Sequence, residues 1–152
     1  AAIHQRVQKL TNLGIIKGSE FTLDSNRIGF ETCAYIGVYL QTPGQFKEVM
    51  DKLQNIPEVV ECHYTTGKYD MFLKIYARNN NHLLQIIHTK LQPLGLARTE
   101  SIISFKEAFR RQLPIENIST YEKAESNYTT GNEESGEEPV KKKRGRKSNS
   151  AI

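Results

Sequence analysis

Six consecutive residues, Thr65-Thr66-Gly67-Lys68-Tyr69-Asp70, place hydroxyls, a glycine, an ammonium, a phenol and a carboxylate within the length of one turn. A glycine turn presents backbone N–H groups that can bind a carboxylate, and an aspartate can accept from an ammonium. A ligand carrying both groups, such as a free amino acid, satisfies both. The same residues also make an ordinary hairpin turn, with Gly67 at positive φ and Asp70 bonding nearby backbone amides. The two readings are compatible, and both stand at this point.

Other reactive groups form no comparable set. The GNEESG run at 131–136 sits in an acidic stretch and follows no strand, so it is not a phosphate loop. His4, His63, His82 and His88 lack metal-ligand spacing, and the neighbours Cys62 and His63 would point to opposite faces of a strand. No Ser/His/Asp arrangement is recognisable by spacing. The expectation is a non-enzyme with no metal and no cofactor beyond an amino-acid effector. A small dimeric α+β enzyme is the alternative, since such a fold does not decide function. No apolar run approaches the roughly 20 residues that span a bilayer, and no charged-then-apolar leader is present. These features predict a cytoplasmic protein with no membrane contact, its Cys33 and Cys62 reduced in the core.

The elements that must position the turn follow from periodicity. Residues 30–40 alternate, with Phe30, Ala34, Ile36, Val38 and Leu40 on one face of a strand. After Pro43-Gly44, the residues Phe46, Val49, Met50 and Leu53 recur at helical spacing, and Pro57 ends that helix. Strands are predicted at 59–65 and 69–77, joined by Gly67-Lys68. One of Asn79, Asn80 and Asn81 caps a second helix carrying Leu83, Leu84, Ile87 and Leu91. A last strand over 99–110 carries Ile103, Phe105 and Phe109. The order β-α-β-β-α-β predicts an α+β, ferredoxin-like domain, an antiparallel four-stranded sheet with both helices on one face. The other face would carry Tyr35, Tyr39, Tyr64, Phe72 and Ile102. That is too much apolar area for a free surface, and it predicts a homodimer built sheet against sheet.

This domain, residues 28–113, lies between two dissimilar segments. Residues 1–27 read as a helix with an apolar stripe of Ile3, Val7 and Leu10, a Gly14 stop, and two short strands at 15–18 and 21–23 forming a wing. A lone helix and wing cannot bury a core of their own. Residues 114–152 hold seven acids followed by a basic block at 141–147, segregated as in disordered tails. In the basic block, Arg144-Gly145-Arg146 could lie extended in a narrow A·T minor groove.

Two motifs carry a family resemblance. Arg6-Val7-x-x-Leu10-x-x-x-Gly14-Ile15-Ile16-x-Gly18 resembles the recognition helix and wing entry of the leucine-responsive/asparagine-regulator (Lrp/AsnC) transcription factors. Val60-x-x-x-Tyr64-x-x-Gly67-x-Tyr69-Asp70, followed by a strand rich in Thr and Ser, is similar to the signature of that family's regulatory domain. The resemblance covers about residues 1–112. It implies a DNA-binding regulator, dimeric or a ring of dimers, that responds to an amino acid. The first helix would be the third of a helix-turn-helix whose first two helices are absent here, so the chain is a fragment or its true start lies upstream. The resemblance further implies that His4, Gln5 and Lys9 face the major groove, with Arg6 on phosphate or in a structural pair. Arg144 and Arg146 would enter the minor groove. Thr65, Gly67, Lys68, Tyr69, Asp70, Thr99 and Ser101 would lie at the effector site. A ligand-binding assembly module that does not bind DNA through the helix is the competing reading.

Overall fold

The computed structural model describes residues 1–115 and 119–120. The described residues divide into two compact units, one containing Ala1–Glu20 with residues 112–115 and 119–120, the other Phe21–Arg111. The first unit holds helix α1, Ala2–Asn12. Its end is fixed by Gly14 at φ 74°, with Gly14 N–H donating to Thr11 and Ile15 N–H to Leu10. This pair of bonds is the glycine-terminated cap in which left-handed backbone satisfies the last carbonyls. Neither short strand expected at 15–18 and 21–23 forms; the backbone there belongs to no ladder.

In the second unit the order is β1 (Thr32–Tyr39), α2 (Phe46–Leu53), β2 (Val59–Tyr64), β3 (Met71–Ala77), α3 (Asn80–Ile86) and β4 (Arg98–Ser104). The sheet order is β2-β3-β1-β4, and every pairing is antiparallel. Ala34, Ile36, Val38, Met71, Leu73, Ile75 and Ala77 bury one sheet face against Val49, Leu53, Leu83, Ile86 and Leu91 of the helical segments. Asn79 caps α3, its side chain accepting from His82 N–H at 2.8 Å.

Four expectations are corrected. A bulge between Val59 and Glu61 adds a residue to β2, so Cys62 and Tyr64 pair with Leu73 and Met71 and face the helices. Tyr64 therefore packs on Phe46, 4.4 Å between ring centres, rather than joining the outer face. The helix after the asparagines, α3, widens into a π-turn over Ile87–Leu91; Leu83 and Leu91 are buried as expected, but Ile86 joins them in place of Leu84, which is exposed. Pro93, without an N–H, cannot continue the regular ladder. The last strand stops at Ser104, opposite Cys33, because β1 offers almost nothing beyond that pair; Phe105 and Phe109 lie outside the sheet, exposed. Finally, neither cysteine is a core residue. Cys33 is half-buried on the outer face and Cys62 is exposed on the edge strand; both are free thiols. Burial pushes the Cys33 thiol up, against the lowering pull of Lys74.

Candidate functional site

The turn between β2 and β3 is closed by its own groups. Thr65 N–H donates to the Asp70 carbonyl at 3.1 Å, and the Thr65 hydroxyl to the Tyr69 carbonyl at 2.9 Å. Gly67 takes φ 93°, where a side chain would be strained. Asp70 ties the turn to β1, its N–H donating to Val38 and its Oδ2 accepting from Leu40 N–H at 2.8 Å. The turn-forming role of Asp70 is thus present in the fold, exerted across strands.

With the turn so anchored, Tyr69 lies flat against the outer sheet face. Its ring occupies the space a Cβ at Gly37 would need. It meets Tyr39 edge-on at 5.4 Å and stacks on Phe72 at 5.8 Å. Lys68 and Tyr69 both reach Glu100 of β4. Lys68 Nζ donates to Oε2 at 3.0 Å and the Tyr69 hydroxyl at 2.8 Å. Arg98 Nη2 lies 3.2 Å from Oε1, and the Tyr39 hydroxyl donates to the same oxygen at 3.4 Å. The Arg98 guanidinium also sits over the Tyr39 ring at 4.3 Å. Hydrogen bonds from Lys68 and Tyr69 hold the Glu100 carboxyl below its usual range; in return Glu100 pushes the Lys68 ammonium and the Tyr69 phenol up.

The residues expected at the effector site do not all converge. Thr65, Gly67, Lys68, Tyr69 and Asp70 form one turn. Thr99 and Ser101 pair with Val38 and Ile36, on the helix side of the sheet, whereas Glu100 pairs with Gly37 on the outer side. Glu100 was not among the expected residues. Strand parity carried the signal, because the residue between Thr99 and Ser101 must face the side that Tyr39 faces.

A cavity of about 550 Å³ opens at the opposite end of the sheet, where β2 begins and β3 ends. Its lining includes Phe30, Glu58, Arg78 and His82 but none of the turn residues. Glu58 Oε1 lies 2.6 Å from Lys90 Nζ and 3.8 Å from His82 Nε2.

On α1, His4, Gln5, Arg6 and Lys9 are all exposed, while Leu10 is buried. At about 100° per residue, His4, Gln5 and Lys9 share an arc of about 140°, and Arg6 stands beside the apolar stripe. Arg144 and Arg146 lie outside the described residues. Among the described residues, no helix is long and apolar enough to cross a membrane.

A family model described as the Lrp/AsnC ligand binding domain matches residues 33–114. The regulatory protein AsnC of Haemophilus influenzae is 36% identical over 112 residues, covering 73% of this chain and 75% of that one. The HTH-type transcriptional regulator FL11 of Pyrococcus horikoshii is 33% identical over 106 residues, 70% of each chain. Among solved structures, Escherichia coli AsnC superposes with a TM-score of 0.69 at 29% identity, over 74% of this chain and 76% of that one. A transcriptional regulator of Neisseria meningitidis, in complex with L-Met, shares the fold with a TM-score of 0.70 at 20% identity, over 75% of this chain and 76% of that one.

Proposed function

The chain belongs to the Lrp/AsnC family of transcriptional regulators, and from that premise we propose that it is a cytoplasmic, sequence-specific DNA-binding regulator controlled by an amino acid bound at the turn between β2 and β3. The observation that carries this reading is the convergence of Lys68, Tyr69, Arg98 and Glu100 beside that turn. Charged donors and acceptors alternate there over a few ångströms, beside the Tyr39 and Tyr69 rings. A zwitterion presents the complementary pair of charges, and its side chain can lie on the rings. The L-Met complex of the Neisseria meningitidis neighbour is in keeping with an effector of this size.

In this reading Thr65, Gly67, Lys68, Tyr69 and Asp70 form the wall of the site. Thr99 and Ser101, on the other side of β4, reach an effector only where a second dimer meets this edge, as in a ring of dimers. Gln5 and Lys9 donate to base edges in the major groove alongside His4, and Arg6 binds phosphate. Arg144 and Arg146 add minor-groove affinity with little base-by-base discrimination.

Calorimetry of the intact oligomer against a panel of the common amino acids tests the proposal. At least one binds, and Lys68→Met weakens it several-fold. No heat with any of them leaves the turn a structural hairpin.

A further inference from the structure

We propose that Glu100 is an internal stand-in for a ligand carboxylate, holding the cations Lys68 and Arg98 until a carboxylate from outside displaces it. This rests on the reading of the turn as an effector site and adds how that site is regulated. Each Glu100 oxygen takes two donors: Lys68 and the Tyr69 hydroxyl on Oε2, Arg98 and the Tyr39 hydroxyl on Oε1. An ammonium, a guanidinium and two phenols are the set that an external carboxylate would recruit.

The charge count favours exchange. Within ion-pair distance, two cations, Lys68 and Arg98, face the one carboxylate of Glu100. The cluster therefore carries surplus positive charge, which attracts an anion rather than a cation. Glu100 can leave. Its side chain is 33% exposed, and ion pairs at such positions are weak. The phenol it leaves behind stays in place, because the Tyr69 ring is held over Gly37 and between Tyr39 and Phe72. The vacated donors remain ordered for the incoming group. A ligand with an ammonium and no carboxylate would gain nothing from this exchange.

The test uses acetate as the probe, at constant ionic strength and neutral pH, read by tyrosine fluorescence in a chain that has no tryptophan. Glu100→Gln removes the internal competitor but keeps the shape, and should bind acetate about fivefold more tightly than the unaltered chain. Adding Lys68→Met to Glu100→Gln should abolish the gain, showing that the anion sits on Lys68 and not on a generally more positive surface. Glu100→Asp, too short to span both cations, should show a smaller gain, and it carries the test if circular dichroism shows Glu100→Gln unfolded. Acetate bound no tighter by the folded variants overturns the proposal. The amino-acid panel separates this from the effector reading. An amino acid that binds the unaltered chain and is lost in Glu100→Gln leaves the effector site standing and removes the stand-in. A gain for acetate with no amino acid bound by any form does the reverse.

Discussion

Gly37 shows how far one missing side chain reaches. It is the bare position on the outer face of β1, and Tyr69 uses that gap to lie against the strand. Gly37→Ala forces the ring off the sheet. The displaced phenol then loses Glu100, its edge contact with Tyr39 and its stack on Phe72. The expected cost is about 1–3 kcal/mol, typical of overpacking a fitted contact. Tyr69→Ala removes the obstacle, so adding Gly37→Ala to it should cost little more. That non-additivity is the signature of direct contact. Urea midpoints for the two single variants and the double variant check it, and additive losses would show that Gly37 matters for another reason. From sequence, Gly37 looked like one more strand residue, because nothing local says that a ring from a distant turn will cover it.

At the scale of elements, the order and type of the strands and helices were legible because the periods of two and 3.6 are written plainly in residues 30–40 and 46–53. What escaped were one-residue events. The bulge in β2 sends Tyr64 to the helix side, and on α3 Ile86 rather than Leu84 enters the core. Glu100 escaped because its neighbours Thr99 and Ser101 matched a family pattern while the paired register gives it the other face. The fastening of β2 to α3 was equally hidden, since Glu58, His82 and Lys90 are far apart in sequence. There, burial raises the Glu58 carboxyl and is the largest single influence, but the hydrogen bonds from Lys90 and from its own backbone amide, with the positive charge beside it, together outweigh it, and the folded value falls below the ordinary 4.5. A depressed carboxylate stabilises fully above its unfolded value and loses that contribution as the pH falls through the folded one. Glu58→Gln keeps an oxygen that accepts from Lys90 but removes the countercharge, and should therefore cost about 1 kcal/mol at pH 7. It should also lose less stability than the unaltered chain on acidification below about pH 4.5. Chemical denaturation at several pH values measures both, and parallel acid losses in the two proteins would show that the pair is not the linked group.

For the whole molecule, the outer sheet face is where we propose that two copies meet. Its rings run in one line, Tyr39 to Tyr69 to Phe72 to Tyr35, each within 5.8 Å of the next. Beyond them Lys74, its side chain only 8% exposed, lies between Tyr35 and Tyr76 and 3.7 Å from Glu61. A lysine so covered on a face that has no helix over it is shielded by rings that pack tightly even before any second chain arrives. Ile102 stands open beside them at 51% exposed. Contiguous aromatic area of this kind, edged by charged side chains, is the pattern of an interface core with a polar rim. The chain should accordingly sediment as a dimer at micromolar concentration, or as a multiple of that dimer. Ile102→Asp puts a carboxylate onto the outer face beside Tyr35, where desolvating it without a partner on pairing is unfavourable, and should shift the population toward the 17.4 kDa monomer. Leu84 provides the matched comparison, equally exposed at 53% but on α3, on the other side of the sheet. Leu84→Asp should leave the sedimentation profile unchanged. If both variants dissociate alike, the effect is loss of stability and not of an interface. If the unaltered chain sediments only at 17.4 kDa, the aromatic face is not where two copies meet.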